Sequence, residues 1–156
     1  MTRCVVLAAV FFATSQLAAG FDTTLDEAFA RDVLVVVATR HACHRFDLYL
    51  AVDPAQQQRG LMQVRELPAT SGMLFVYEAS GNHSMWMKNT LLPLDIAFAR
   101  DDGHIVSIAR HTEPQSLRSI AATEPVSYVL ELNAGVTERL DIEPGSRILW
   151  GPIFER

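Results

Sequence analysis

The stretch SMWMKNTLLPLD, residues 84–95, places an aromatic ring, a cation, an amide and a carboxylate among apolar residues. These groups belong to Trp86, Lys88, Asn89 and Asp95. If the first five residues of the stretch form a strand, Trp86 and Lys88 share one face, because side chains alternate along a strand. A lysine buried without a partner costs free energy, so Lys88 requires an acid or an open cavity. The stretch predicts either a ligand site or a satisfied polar network.

Further polar residues can join such a site. Glu131 and Asn133 lie in the alternating segment SYVLELN and point away from its apolar face. Either Asp95 or Glu131 can neutralise Lys88, and Arg59 can bind a ligand carboxylate through two parallel hydrogen bonds. A tryptophan beside a few polar groups favours a sugar ring or a small carboxylated molecule. The predicted ligand-binding residues are Trp86, Lys88, Asn89, Asp95, Glu131, Asn133 and Arg59.

Two alternatives use the same residues. In the first, Asn89 and Thr90 hold a turn, Lys88 pairs with an acid to fix the strand register, and there is no ligand. In the second, Asp95 and Glu131 form the acid/base pair of a glycoside hydrolase. A nearby Lys88 would keep both carboxylates ionised, which suits a nucleophile and a base better than an acid.

The segment HACH contains His41, Cys43 and His44, which are ligand types for copper or zinc. On a strand Cys43 and His44 would point in opposite directions, so at most two of the three share a side. We therefore predict no metal site and no cofactor, with this trio as the weaker alternative.

The first twenty residues have the pattern of a secretory signal peptide. Arg3 precedes an apolar run over residues 4–13, and small residues close the segment at 18–20. The apolar run is too short to cross a bilayer comfortably. We predict an exported protein, periplasmic or secreted, with no membrane span after cleavage.

Cleavage would leave 12 basic and 18 acidic residues, a net charge of −6. This balance argues against a nucleic-acid partner. Cleavage would also leave Cys43 as the single cysteine, so the mature chain could form no intrachain disulfide. We expect Cys43 to be a small buried apolar side chain.

The remaining chain is divided into a tether, residues 21–32, and one domain, residues 33–156. About seven short segments alternate or are rich in β-branched residues, and DDG at 101–103 predicts a hairpin. Two short helices are predicted, one after Asp53 and one in AGVTERLD. The pattern is typical of a mainly-β domain, either a β-sandwich or a closed barrel.

Four motifs occur in a fixed order: RGLM at 59–62, GMLF at 72–75, WMKNTLLPLDIAF at 86–98 and YVLELNAG at 128–135. Together they resemble the family called domain of unknown function 192, exported in many bacteria, from about residue 44 to 148. The resemblance implies a small β-sandwich of jelly-roll type. It implies no particular activity.

These observations favour a non-enzymatic module that binds a small, sugar-like or other ligand, or that associates with the cell envelope. The alternatives are a hydrolase of envelope carbohydrate, acting through Asp95 and Glu131, and an accessory partner of another exported protein. An exposed apolar patch would favour the accessory partner.

Overall fold

The computed structural model describes residues 23–40 and 42–151, so the predicted signal peptide lies outside the described residues. In this part the chain forms three short helices and nine strands, which confirms the mainly-β prediction. In chain order they are α1 Thr23–Ala28, β1 Ala30–Val37, β2 Cys43–Ala51, α2 Pro54–Arg59, β3 Ser71–Gly81, β4 Ser84–Met85, β5 Leu94–Ala99, β6 Ile105–Ala109, β7 Ile120–Ala121, β8 Val126–Asn133, α3 Val136–Arg139 and β9 Arg147–Leu149.

Seven strands form one sheet in the order β6-β5-β8-β3-β2-β1-β9. Its neighbours are antiparallel except β2 and β3, which are parallel. The two outer strands meet, because the N–H of Ile105 donates to the carbonyl of Ser146 (2.9 Å) and the N–H of Ile148 donates to the carbonyl of Gly103 (2.8 Å). The sheet is thus a nearly closed barrel, which is one of the two predicted architectures. Such closure protects the sheet edges.

Each face of the barrel sheet carries an apolar core. The inner core receives side chains from all seven strands, among them Leu34, Leu48 and Leu130. The outer core includes Phe75 and Ile96 and is covered by α1, by the loop after α2 and by the ribbon of β4 and β7. Alternation along each strand sends successive side chains to opposite cores. A polar side chain on a central strand is therefore buried whichever way it points.

Helix α2 lies in the crossover that two adjacent parallel strands require. As predicted, Asp53 caps it: its carboxylate accepts the N–H of Gln56 at 2.8 Å. The helix ends at Gly60, whose φ of 48° suits glycine. The side-chain amide of Gln57 donates to the carbonyl of Val76 on β3 (2.8 Å). The end of α2 is therefore fixed against the outer face of the sheet.

The segment predicted as a tether contains regular structure. Helix α1 occupies part of it, β1 begins at Ala30, and Leu25 and Phe29 are buried in the outer core. The predicted hairpin at 101–103 joins β5 to β6, with Gly103 at φ 82°. Within the described residues, no helix has the length and apolar character needed to cross a membrane.

Gly72 allows β3 and β8 to approach closely. A Cβ atom there would lie 2.5 Å from the carbonyl oxygen of Glu131 and 2.7 Å from Cδ2 of Leu132. Gly72→Ala should lower the free energy of unfolding by about 3 kcal/mol, because overpacking forces the strands apart. Urea denaturation measures this. Gly151→Ala is the control, since no atom lies within 4 Å of a Cβ there. Equal stability of the two variants would contradict the argument.

Candidate ligand-binding site

A cavity of about 80 Å³ lies on the outer face, between the end of α2, β3, β4 and β8. Glu131 is its most deeply placed polar residue, with only 4% of its surface exposed. Phe75 and Tyr77 form part of the wall. Trp86, which is 45% exposed, and the exposed Arg59 lie at the opening. Three of the seven predicted ligand-binding residues, Arg59, Trp86 and Glu131, therefore line one cavity.

The sheet register places Glu131 in apolar surroundings. Strand β8 lies between β5 and β3, and Glu131 pairs with Ile96 on one side and with Met73 on the other. As predicted from the alternation, Leu130 and Leu132 point into the opposite core. No neighbour in the sheet offers Glu131 a charge of opposite sign.

The carboxyl group of Glu131 is incompletely hydrogen-bonded. Its Oε2 atom is buried and has no hydrogen-bond partner in the described structure. Burial raises the pKa of Glu131 to about 8, because the charged form loses its hydration. At neutral pH the group is mostly a neutral acid, which can donate as well as accept a hydrogen bond.

Tyr77 forms a rigid wall beside this acid. Burial raises the pKa of Tyr77 to about 12, and the negative charge of Glu131 adds to the effect. The phenol donates to the sulfur of Met85 at 3.7 Å. Its ring stacks on His83, with centroids 3.6 Å apart and planes 9° apart. The ring is therefore held between the cavity and a second aromatic group.

Trp86 and Lys88 both lie on the surface, whereas Met85 and Met87 are buried, as the alternation predicts. The structure differs from the expected pairing of Lys88 with an acid. Its Nζ atom lies 5.0 Å from the centroid of the Trp86 ring, and it forms no ion pair with a described carboxylate. An exposed ammonium needs no buried partner, and the ring attracts it electrostatically.

Asp95 is separated from Glu131, because it points into the inner core, opposite Leu132. Its carboxylate accepts the N–H of His111 (3.0 Å) and both the N–H (3.0 Å) and the hydroxyl (2.7 Å) of Thr137. Burial raises the pKa of Asp95, but these bonds and one from the Gly135 N–H outweigh it and hold the pKa below its usual value. Asp95 therefore caps α3 and does not form the carboxylate pair that a glycoside hydrolase requires.

Asn89 and Asn133 hold the loop that follows α2. The Asn133 side chain donates to the carbonyl of Leu67 at 2.8 Å. Asn89 has a φ of 57°, and its carbonyl accepts the N–H of Gln63 at 2.9 Å. Neither side chain lines the cavity. Both agree with the structural alternative, in which polar groups of this region fix loops.

The structure describes two of the three alternative metal ligands, Cys43 and His44. His41 lies outside the described residues, and Cys43 is disulfide-bonded, contrary to the expected thiol. Among the described residues no group of three or more His, Cys, Asp or Glu side chains could hold a metal ion.

The family model of domain of unknown function 192, described as an uncharacterised ACR, matches residues 35–150. The chain belongs to this family. The match spans every residue that lines the cavity. No curated protein matches the chain.

Two solved structures are similar to this member of the family. One is a candidate transcription regulator from Sinorhizobium meliloti 1021, with 40% identity and a TM-score of 0.78 over 80% of this chain and 96% of that one. The other is a protein of unknown function from Novosphingobium aromaticivorans DSM 12444. It has 33% identity and a TM-score of 0.74 over 84% of this chain and all of that one.

Sequence analysis missed several lining residues of this family member, among them Gly60, Phe75, Tyr77 and Thr90. Alternation in GMLFVYE already places Phe75 and Tyr77 on one face of a strand. The sequence offers no signal that this face adjoins Glu131, since that depends on the pairing of β3 with β8.

Proposed function

We propose that this chain is an exported, non-enzymatic module that binds a small ligand in the cavity above Glu131. The observation that carries the proposal is the buried Oε2 atom of Glu131, which lacks a partner and lines an open cavity. Leaving a buried acid unsatisfied costs free energy that a purely structural network would avoid. A ligand that supplies the missing hydrogen bond would recover this cost.

The surroundings of Glu131 suit binding better than hydrolysis. Glu131 is the only carboxylate among the described lining residues, and Asp95 points to the other face of the sheet. A glycoside hydrolase needs two carboxyl groups flanking one bond. Exposed Trp86 instead offers a flat apolar surface at the opening, as small-ligand sites commonly do.

Export is the second component of the proposal. It rests on the charged start, short apolar run and small residues of positions 1–20. The acidic balance of the chain fits a module that does not engage nucleic acid. Detection of the protein outside the cytoplasm, with its amino terminus near residue 21, would support this component.

Trp86→Ala should weaken ligand binding at least about tenfold without unfolding the protein, because an exposed ring contributes contact area and little packing. A thermal-shift screen with sugars, organic acids, amines and amino acids would identify the ligand through the stabilisation that binding produces. Titration of that ligand against both proteins then measures the affinity.

The matched control is Val33→Ala on β1, an exposed apolar residue, 40% accessible, on a strand separated from β3 by β2. It should bind the ligand as the wild type does. If no compound binds, or if Trp86→Ala and Val33→Ala bind equally well, the cavity is not a ligand site.

A further inference from the structure

The deep end of the cavity is a carboxyl group in aromatic surroundings. Glu131 is 4% exposed, and its buried Oε2 atom has no hydrogen-bond partner among the described residues. Three aromatic side chains line the same cavity, Phe75, Tyr77 and Trp86. The negative charge of Glu131 raises the pKa of Tyr77, so the phenol lies close to the carboxyl group. The cavity therefore combines one unpartnered acid with several rings.

No cation of the described residues pairs with Glu131. Burial raises its pKa to about 8, and no neighbouring positive charge lowers it. The Nζ atom of Lys88 lies 5.0 Å from the centroid of the Trp86 ring. Arg59 lines the opening, and its Cζ atom lies 5.5 Å from the centroid of the Phe29 ring. A cation that neutralises the carboxylate must therefore come with a ligand.

The chemistry of the walls selects an organic cation. The faces of aromatic rings carry partial negative charge, so they attract a cation and repel an anion. A cationic N–H donor also forms a stronger hydrogen bond with a carboxylate than a neutral donor does. A hard metal ion such as calcium needs several oxygen ligands, whereas Glu131 is the only carboxylate among the described lining residues. A volume of about 80 Å³ admits only a small group.

We infer that the cavity binds a small organic ammonium ion, whose N–H group donates to the ionised carboxyl of Glu131 between the aromatic walls. This inference rests on the proposed function and names the ligand class for the same cavity. The ligand supplies the missing hydrogen bond of Oε2 and neutralises the carboxylate. Its alkyl part then lies toward the opening, where exposed Trp86 offers an apolar surface.

Binding of the ammonium ion should release one proton from Glu131 to the solvent. In the empty cavity the carboxyl group holds its proton at neutral pH, whereas the ammonium ion keeps its own protons and requires the ionised carboxylate. The affinity should therefore rise about tenfold per pH unit between pH 6 and 7.5 and level off above pH 8. It should fall again above about pH 10, where the amine loses its charge. Other titratable or charged groups at the cavity or behind its walls, among the described residues, are Arg59, Tyr77, His83 and Lys88.

The test is isothermal titration of the purified protein with methylamine, ethylamine and propylamine. Each amine has two matched probes, the alcohol and the carboxylate of the same chain length, which carry no charge and a negative charge. Titration in two buffers of different ionisation enthalpy measures the protons released. We expect one or more of the amines to bind at least about tenfold more tightly than its matched probes and to release about one proton at pH 7.

Glu131→Gln should abolish both the preference for the amine over the alcohol and the proton release, because glutamine carries no charge. The control is Glu124→Gln, since Glu124 is exposed and only distantly paired with Arg100 (4.0 Å). This control should bind the amine and release the proton as the wild type does. Proton release by the wild type tests the inference even if Glu131→Gln does not fold.

Two variants of Tyr77 test the aromatic wall. Tyr77→Leu should weaken amine binding about fivefold, because it removes a ring face and keeps an apolar side chain. Tyr77→Phe keeps the ring and should cause a smaller loss of affinity. If both variants bind the amine as tightly as the wild type does, the wall does not hold the cation and the inference fails.

Two further results would overturn the inference and are distinguishable from failure of the proposed function. If an alcohol, a carboxylate or another compound of the broad screen binds at least as tightly as the amines and Trp86→Ala weakens that binding, the module stands and the ligand class is wrong. If the amine binds without proton release, Glu131 is not its partner. Failure of every compound in the broad screen would remove the proposed function as well.

Discussion

Asp95→Asn should lower the free energy of unfolding by about 3 kcal/mol at pH 7, because it removes a buried negative charge that accepts hydrogen bonds from His111, Thr137 and Gly135. The substitution keeps the side-chain volume, so it creates no empty space that would lower the stability further. Two of the bonds come from Thr137, near the start of α3, whose own N-cap residue Gly135 makes no side-chain bond. The amide nitrogen of asparagine would face an N–H or O–H group that has lost its acceptor. Urea denaturation of both proteins measures the difference.

The pH dependence distinguishes this loss from a general packing defect. The folded-state pKa of Asp95 is held below its ordinary value of 3.8. Its contribution is fully present above pH 3.8 and is lost as the pH falls through the lower folded-state pKa. The difference in the free energy of unfolding between the wild type and Asp95→Asn should decrease in that acidic range. Asp47→Asn, on an exposed ion pair with Arg45, should change stability by less than about 1 kcal/mol. Equal losses for the two variants would contradict the assigned role.

The role of Asp95 also shows what the sequence could not specify. Its position near Lys88 suggested a shared site, but alternation along β5 points it into the inner core. The start of β5 depends on the turn before Leu94, and the sequence defines such boundaries poorly. Its partners His111 and Thr137 lie 16 and 42 residues away in sequence. Hydrogen bonds over such separations leave no local pattern.

Local features were predictable where one physical cause dominates. Asp53 and Gly60 bound α2 because a carboxylate satisfies free N–H groups and a glycine accepts a positive φ. The direction of Glu131 followed from strict alternation in SYVLELN. The parallel pairing of β2 with β3, which puts α2 in the crossover beside the cavity, is a long-range property and was not predicted.

The ribbon of β4 and β7 is a further case in which long-range strand pairing could not be predicted from the local sequence. A strand was expected over residues 84–88, but only Ser84 and Met85 pair, with Ala121 and Ile120. The partner strand is two residues long, too short to produce a periodic signal. The exposure of Trp86 depends on this short pairing, since the chain leaves the ribbon directly before it.

Glu131→Gln should stabilise the protein by about 3 kcal/mol at pH 7, because it removes the cost of keeping an acid protonated above its ordinary pKa of 4.5. The folded state binds this proton up to about pH 8, whereas the unfolded state releases it near pH 4.5. The wild type therefore loses stability as the pH rises between those values, by roughly 1.4 kcal/mol per pH unit. The glutamine variant has no ionisable group at this position, so it does not show this loss of stability with rising pH.

The measurement is the free energy of unfolding from pH 5 to pH 9 for the wild type, Glu131→Gln and Glu124→Gln. The first two curves should diverge up to about pH 8 and then run parallel, while the exposed control follows the wild type. A site residue that destabilises its own fold is expected where binding requires it. Curves that stay parallel throughout would mean that Glu131 is solvated when the cavity is empty, and its burial would then carry no free-energy cost for a ligand to recover.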